Sequence, residues 1–348
     1  MIDRSAATVA AIGEHALIER LARRVGRHPA WVTLGIGDDA ALVEPSRGEI
    51  DVLTTDSLIE DVHFRRCWTS AAAIGHKALA VNLSDIASMG ASPRTCLLSL
   101  GLPAGMLVAD FDELVGGLLE LADAAGASLV GGNIARSPGP LIVDVTVTGS
   151  VGRRRALRRS GGRPGDELYV TGTLGGALAG LRLLERGLDR AAASPVELAC
   201  VERHERPVPR LRTGRMVARQ GLATAAIDLS DGLADGIRQL AAASRVGAVI
   251  DARAIPADPA AAAVAERLEA DPVDLALAGG EDYELLFAVP PRRRRGFLAA
   301  VGRAGEAQAT RIGTLTSSGQ LVVETASGSA ALAQTGFEHF SGTEDTRR

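Results

Sequence analysis

The sequence predicts an α/β (α+β) chain of two domains, and three observations carry that expectation. The chain has 348 residues, 46% of them hydrophobic, which is more than a single ordinary core holds. Strand-like and helix-like runs alternate along it. Midway, Gly152–Gly165 reads GRRRALRRSGGRPG, a basic, glycine-rich stretch without apolar periodicity. That break sets an N-terminal domain over 1–151 with a mixed sheet and helices, and a C-terminal α/β domain over 152–348.

The elements follow in order. MIDRSAATVAAIGEHALIERLARR reads as an amphipathic opening helix; it carries acids and no sustained apolar run, so it is not expected to be a signal peptide. Strands are expected at Ile50–Thr55, Thr95–Leu102, Ser128–Val130 and Leu141–Val151, the last from its alternation, LIVDVTVTGSV. Helical patterns fill Ala72–Met89 and Ala109–Ala125, each stopped by a glycine, Gly90 and Gly126. In the second half, strands are expected at Glu167–Thr171, Thr224–Leu229, Ala248–Asp251, Glu284–Val289 and Thr310–Leu315. Helices are expected over Ala177–Arg186 and Arg210–Gln220, and PRRRRG (Pro291–Gly296) reads as a solvated helix start.

Composition excludes several function classes. Net charge is −4 and aromatics are 3%, so neither a basic field nor a base-stacking platform for nucleic acid is expected. No run approaches the roughly 18 apolar residues that span a bilayer, and a cytoplasmic protein without membrane partners is the expectation. The cysteines, Cys67, Cys96 and Cys200, are odd in number and far apart, which supports neither a disulfide framework nor a zinc site.

The chemistry lies in where the acids fall. Six segments set Asp, Glu or Asn beside glycine or at the end of an apolar run. They are GIGDDAA (Gly35–Ala41), TTDSLIEDVHF (Thr54–Phe64), NLSDIASMG (Asn82–Gly90), GGN (Gly131–Asn133), IDLSDG (Ile227–Gly232) and GGEDYEL (Gly279–Leu285). A carboxylate just past a strand stands at the rim of a sheet, and glycine lets backbone approach a phosphate. General acid/base work, calcium binding and Mg²⁺–nucleotide binding all use clustered carboxylates. The EF-hand spacing is absent, and so are the H-E-x-x-H, Walker and protein-kinase signatures. Mg²⁺ accepts one or two carboxylates plus substrate phosphates, so single acids from separate segments suit it.

Together GIGDDAA, TTD…HF, NLSDIASMGA, RSGGRPGD, IDLSDG and GGEDYEL, in this order, resemble the thiamine-monophosphate kinase family. That family belongs to the superfamily of aminoimidazole ribonucleotide synthetase and selenophosphate synthetase. The resemblance runs from about Gly35 to Phe340. It implies a two-domain synthetase-like fold, a homodimer joined through its N-terminal strands, and a site in the cleft between domains. It also implies phosphoryl transfer from ATP to thiamine monophosphate with several Mg²⁺ ions. Asp39, Thr54, Thr55, Asp56 and Asp85 match Mg²⁺-binding positions, as do Asp228 and Asp231. Gly132, Arg159 and Ser230 match nucleotide positions, and His63, Glu281 and Phe337 match positions lining the thiamine phosphate. No general base is expected, because the acceptor phosphate carries roughly −1.5 to −2 charge at neutral pH and is already a nucleophile. Like charges about 4 Å apart repel by about 4 kcal/mol at a surface dielectric, so cations must stand between these acids and the phosphates.

Two positions depart from the family pattern. Asn133 stands where the family has Asp, keeping a carbonyl oxygen for Mg²⁺ but losing the charge, and Asp61 stands where the family has glycine. Lys77, about two turns before Asp85, reads as structural. The alternatives are a ribonucleotide synthetase-like enzyme of the same superfamily and a non-catalytic nucleotide-binding module. Selenophosphate synthetase needs a reactive cysteine early in the chain, and none precedes Cys67.

Overall fold

A computed structural model describes residues 7–326 and 328–332 of the chain. The first elements are α1 (Val9–Ile12), α2 (Glu14–Val25), β1 (Val32–Leu34), β2 (Leu42–Val43) and β3 (Glu49–Ile59). Then come α3 (Ala71–Ser88), β4 (Ser92–Pro103), α4 (Val108–Ala125), β5 (Ser128–Ser137), β6 (Ile142–Gly152) and β7 (Glu167–Thr171). Three helices follow, α5 (Gly176–Glu185), α6 (Pro195–Glu205) and α7 (Leu211–Gln220), before β8 (Ala225–Asp228), α8 (Leu233–Ser244) and β9 (Gly247–Asp251). The last elements are α9 (Pro259–Val264), α10 (Pro272–Ala278), β10 (Leu285–Val289), α11 (Arg294–Ala304), β11 (Ala309–Thr316), β12 (Leu321–Thr325) and β13 (Gly328–Ala331). They form a mixed α/β chain of two compact units. One gathers Met1–Arg158, Glu205–Ala223 and Arg295–Ala307; the other gathers Arg159–His204, Thr224–Arg294 and Gln308–Arg348.

The first unit is built on a four-stranded sheet, ordered β3-β6-β4-β5, antiparallel except for the parallel β4–β5 pair. The alternation in LIVDVTVTGSV works as expected: Val143, Val145 and Val147 are buried, with Asp144 and Thr146 on the other face. Helix α3 starts at Ser70, whose hydroxyl accepts the Ala73 amide at 3.2 Å, and ends before Gly90 at φ 68°. It is buried almost all round, against α4, the sheet and α7. Two glycines allow this: a Cβ on Gly75 would lie 1.8 Å from the Leu114 carbonyl oxygen, and one on Gly117 would lie 1.9 Å from that of Ala72. Lys77 is buried in this helix, consistent with a structural role.

The second unit holds a seven-stranded sheet, ordered β13-β12-β9-β11-β7-β10-β8, in which only β9–β12 is parallel. Leu168, Val170, Ile227, Ile250, Leu286 and Ile312 fill its core. The arginine run at Pro291–Gly296 does start a helix, but it is not simply solvated. Arg294 forks onto the buried Glu167 carboxylate, with Nε 2.8 Å from Oε2, and Arg311 approaches the same group at 3.3 Å. The hydrogen-bonding Arg294 guanidinium holds the Glu167 carboxyl below its ordinary value. Cys96 and Cys200 are buried free thiols, their pKa values pushed by burial to about 12 and about 11, and Cys67 is exposed. Among the described residues no helix is long and apolar enough to cross a membrane.

Candidate active site

In the first unit, the pleat of β3 divides the candidate residues between two faces of the sheet. Thr54 and Asp56 share the face on which Leu58 is buried. Asp85, near the end of α3, reaches Thr54 there: Thr54 Oγ1 donates to Asp85 Oδ2 at 2.5 Å. Thr55 lies on the opposite face, 3.0 Å from Thr146 Oγ1. Asn133 belongs to that face too, in a row of register partners running Ser57, Asp144, Ser99 and Asn133 across four strands. Asp144 in this row accepts a hydrogen bond from the Ser57 hydroxyl. Asp39 lies on the exposed stretch between β1 and β2, its amide donating to Asp38 Oδ1 at 2.8 Å.

The remaining candidates of this unit are fixed by backbone. His63 sits in the turn after β3, where its Nδ1 accepts the Ile59 amide at 3.1 Å. The other ring nitrogen, Nε2, therefore carries the proton when the imidazole is neutral. Asp61, in the left-handed region at φ 66°, is exposed and lies 3.8 Å from the Arg65 guanidinium. Gly132 could carry no side chain, since a Cβ there would stand 1.8 Å from the Leu98 carbonyl oxygen.

The second unit brings the IDLSDG and GGEDYEL segments side by side. β10 pairs antiparallel with β8, placing Leu285 opposite Asp228. The ladder then runs past the strand ends: the Leu229 amide donates to the Glu284 carbonyl at 2.8 Å, Tyr283 to Leu229 at 3.2 Å, and Glu281 to Ser230 at 2.7 Å. Asp228, at the end of β8, and Ser230, Asp231 and Glu281, on the adjoining loops, thus lie at one end of the sheet. Asp231 and Gly232 lead into α8, whose N-terminus has no side-chain cap, and such an end attracts anions through its amides and dipole. Arg159 leans on the same helix, its guanidinium 2.5 Å from Gln239 Oε1 and its carbonyl accepting from Ser244 Oγ at 3.0 Å. Phe337 lies outside the described residues.

Comparison with known proteins settles the family. The N-terminal and C-terminal domain models described as AIR synthase related protein match residues 37–151 and 163–325. The thiamine-monophosphate kinase of Escherichia coli K12 is 40% identical over 300 residues, covering 85% of this chain and 88% of that protein. The chain belongs to the thiamine-monophosphate kinase family. Among solved structures, the family member from Stenotrophomonas maltophilia K279a superposes with a TM-score of 0.80 at 39% identity, over 88% of this chain and 95% of that one. AaThiL complexed with AMPPCP and TMP superposes at 0.76 and 32% identity, over 94% and 97%.

The donor set fits the metal that the family resemblance implies. Every candidate ligand offers oxygen, from carboxylate, hydroxyl or amide carbonyl, and Mg²⁺ is a hard cation that takes oxygen ligands. Among the described residues no three His, Cys, Asp or Glu side chains converge closely enough to cage a metal ion.

Several neighbours of the site escape a reading of the motifs. Asp144 is signalled only by the alternation of its strand. Asp282, inside GGEDYEL, is buried and accepts the Gly175 and Ala177 amides at 2.6 and 3.1 Å, so it caps α5. Burial pushes its pKa up to about 7, against the lowering effect of those amides and of Arg203. Arg203 and His204, in RHERPVPR, match no motif above, yet the fold sets them against the GGEDYEL loop.

Proposed function

We propose that the chain catalyses the ATP-dependent phosphorylation of thiamine monophosphate to thiamine diphosphate. The observation that supports this reading is the backbone ladder joining Leu229 and Ser230 to Glu281, Tyr283 and Glu284, which brings the IDLSDG and GGEDYEL segments together at one sheet end. The bound AMPPCP and TMP of AaThiL, a relative that the chain matches over 94% of its length, support it for ligand class.

Each residue set has a role in this reading. Thr54, Asp56 and Asp85 on one sheet face, with Asp39, Thr55 and Asn133, would hold Mg²⁺ in the first unit, and Asp228 and Asp231 in the second. Bound Mg²⁺ supplies the positive charge that the phosphates need and stabilises charge on the transferring group. Ser230, Gly132, Asn133 and Arg159 bind the nucleotide, with the open end of α8 suited to a phosphate. His63 presents Nε2–H as a donor and Glu281 presents a carboxylate to the cationic thiazolium ring, and the family match assigns Phe337 to the substrate as well. The acceptor phosphate attacks in line without a general base, so these groups bind, orient and exclude water. A homodimer in the cytoplasm completes the reading.

A coupled ADP-release assay with Mg²⁺ tests it, with thiamine monophosphate and formylglycinamidine ribonucleotide as rival acceptors. Turnover with the first alone is expected. Turnover with the second alone would assign a synthetase, and ATP binding without turnover of either would assign a non-catalytic module.

A further inference from the structure

The last turn of α6 carries two adjacent residues that grip successive residues of the GGEDYEL loop. Arg203 donates from Nη2 to the Thr173 carbonyl at 2.5 Å and places Nη1 3.7 Å from Glu284 Oε1. Its Nη2 also lies 4.0 Å from Asp282 Oδ1, and its Nε lies 3.8 Å from Asp258 Oδ2. His204 places Nδ1 2.9 Å from Glu281 Oε2, at ion-pair distance but off the line of a hydrogen bond.

The loop needs such holding. Glu281 and Tyr283 both take left-handed backbone, at φ 67° and 50°, which non-glycine residues keep only when their surroundings impose it. Between and after them, Asp282 and Glu284 turn inward with side chains 0% exposed. Asp282 caps α5, and Glu284 accepts the Thr171 hydroxyl at 2.7 Å. The alternation leaves the Glu281 side chain outward and 25% exposed, while His204 beside it is 3% exposed. An imidazole so buried cannot itself reach a ligand. It can act on a ligand only through Glu281, whose Oε2 it contacts.

We propose that His204 is a positioning residue for acceptor binding: its buried imidazole, in close contact with Oε2, orients the Glu281 carboxylate so that a cationic heteroaromatic ring can pair with it, while Arg203 anchors the loop beneath. This rests on the reading of Glu281 as a substrate residue. A pre-oriented carboxylate loses less freedom on binding than one free to rotate, so the effect falls on acceptor affinity and leaves ATP affinity untouched.

Steady-state kinetics on the full chain with thiamine monophosphate, ATP and Mg²⁺ test the proposal. His204→Ala is expected to raise KM for thiamine monophosphate about tenfold, with KM for ATP unchanged. His204→Asn, whose Nδ2 takes the place of the ring Nδ1, is expected to recover most of that loss. In a Glu281→Gln background, His204→Ala is expected to add nothing. Equal losses in Ala and Asn variants, a parallel rise in both KM values, or a full effect in the Glu281→Gln background would overturn it. If His204→Ala fails to fold, the Asn variant alone and in the Glu281→Gln background still decides. Glu281→Gln with an unchanged acceptor KM would remove the reading underneath, whereas a raised KM there without a His204 effect would remove only this inference.

Discussion

Thr54 and Asp85 show how far apart in sequence a two-residue contact can be assembled, since 31 positions separate the partners of a 2.5 Å hydrogen bond. Asp85→Asn keeps the size of the side chain and removes its charge. It is expected to raise the Mg²⁺ concentration for half-maximal activity by about tenfold or more, measured by titrating Mg²⁺ at fixed ATP. Asn133→Asp should act the other way, raising activity at low Mg²⁺, if the charge missing from that row limits the enzyme; an unchanged Mg²⁺ titration would show that it does not. Asp282 makes a prediction of a different kind. Its carboxyl titrates near 7 in the folded chain and near 3.8 as a free side chain, so the folded state holds the extra proton between those values. Its contribution to stability is therefore complete below about pH 4 and is lost as pH rises toward 7. Relative to Asp282→Asn, the wild type should lose melting temperature across that window, and a constant gap between the two would contradict the assignment.

At the scale of elements, packing decides what the motifs cannot show. Gly75 and Gly117 set the approach of α3 to α4, where a methyl group would strike a carbonyl oxygen. Gly75→Ala is expected to cost about 1–3 kcal/mol or more in urea unfolding, well beyond what an alanine gains in helix propensity. The elements themselves were legible where period and stop signal agree: α3, with Gly90 behind it, and β6, with its strict alternation, lie within a few residues of their expected positions. Helix α6 was not, because Pro195–Glu205 lacks a clear apolar stripe, and with it went Arg203 and His204. The acids of the proposed site stand out in the sequence because glycine and apolar runs frame them. The division of the first unit's candidates, Thr54 and Asp56 against Thr55 and Asn133, between two sheet faces was not legible, because it depends on the register of β3, β6, β4 and β5, which no local spacing encodes.

For the whole molecule, the ordered string of six segments proved more informative than any one of them. Each is a common turn or cap by itself, and only their order across some 250 residues points to one family. Physical chemistry then limits what such a chain can do. Oxygen donors scattered over both units suit hard cations and phosphates. The central claim is that ATP gives its terminal phosphoryl group to thiamine monophosphate. Incubating the chain with both and Mg²⁺, then quantifying ADP and thiamine diphosphate in the same sample, tests it most directly. Equal amounts of the two products are expected; ADP without thiamine diphosphate, or neither product, would contradict it.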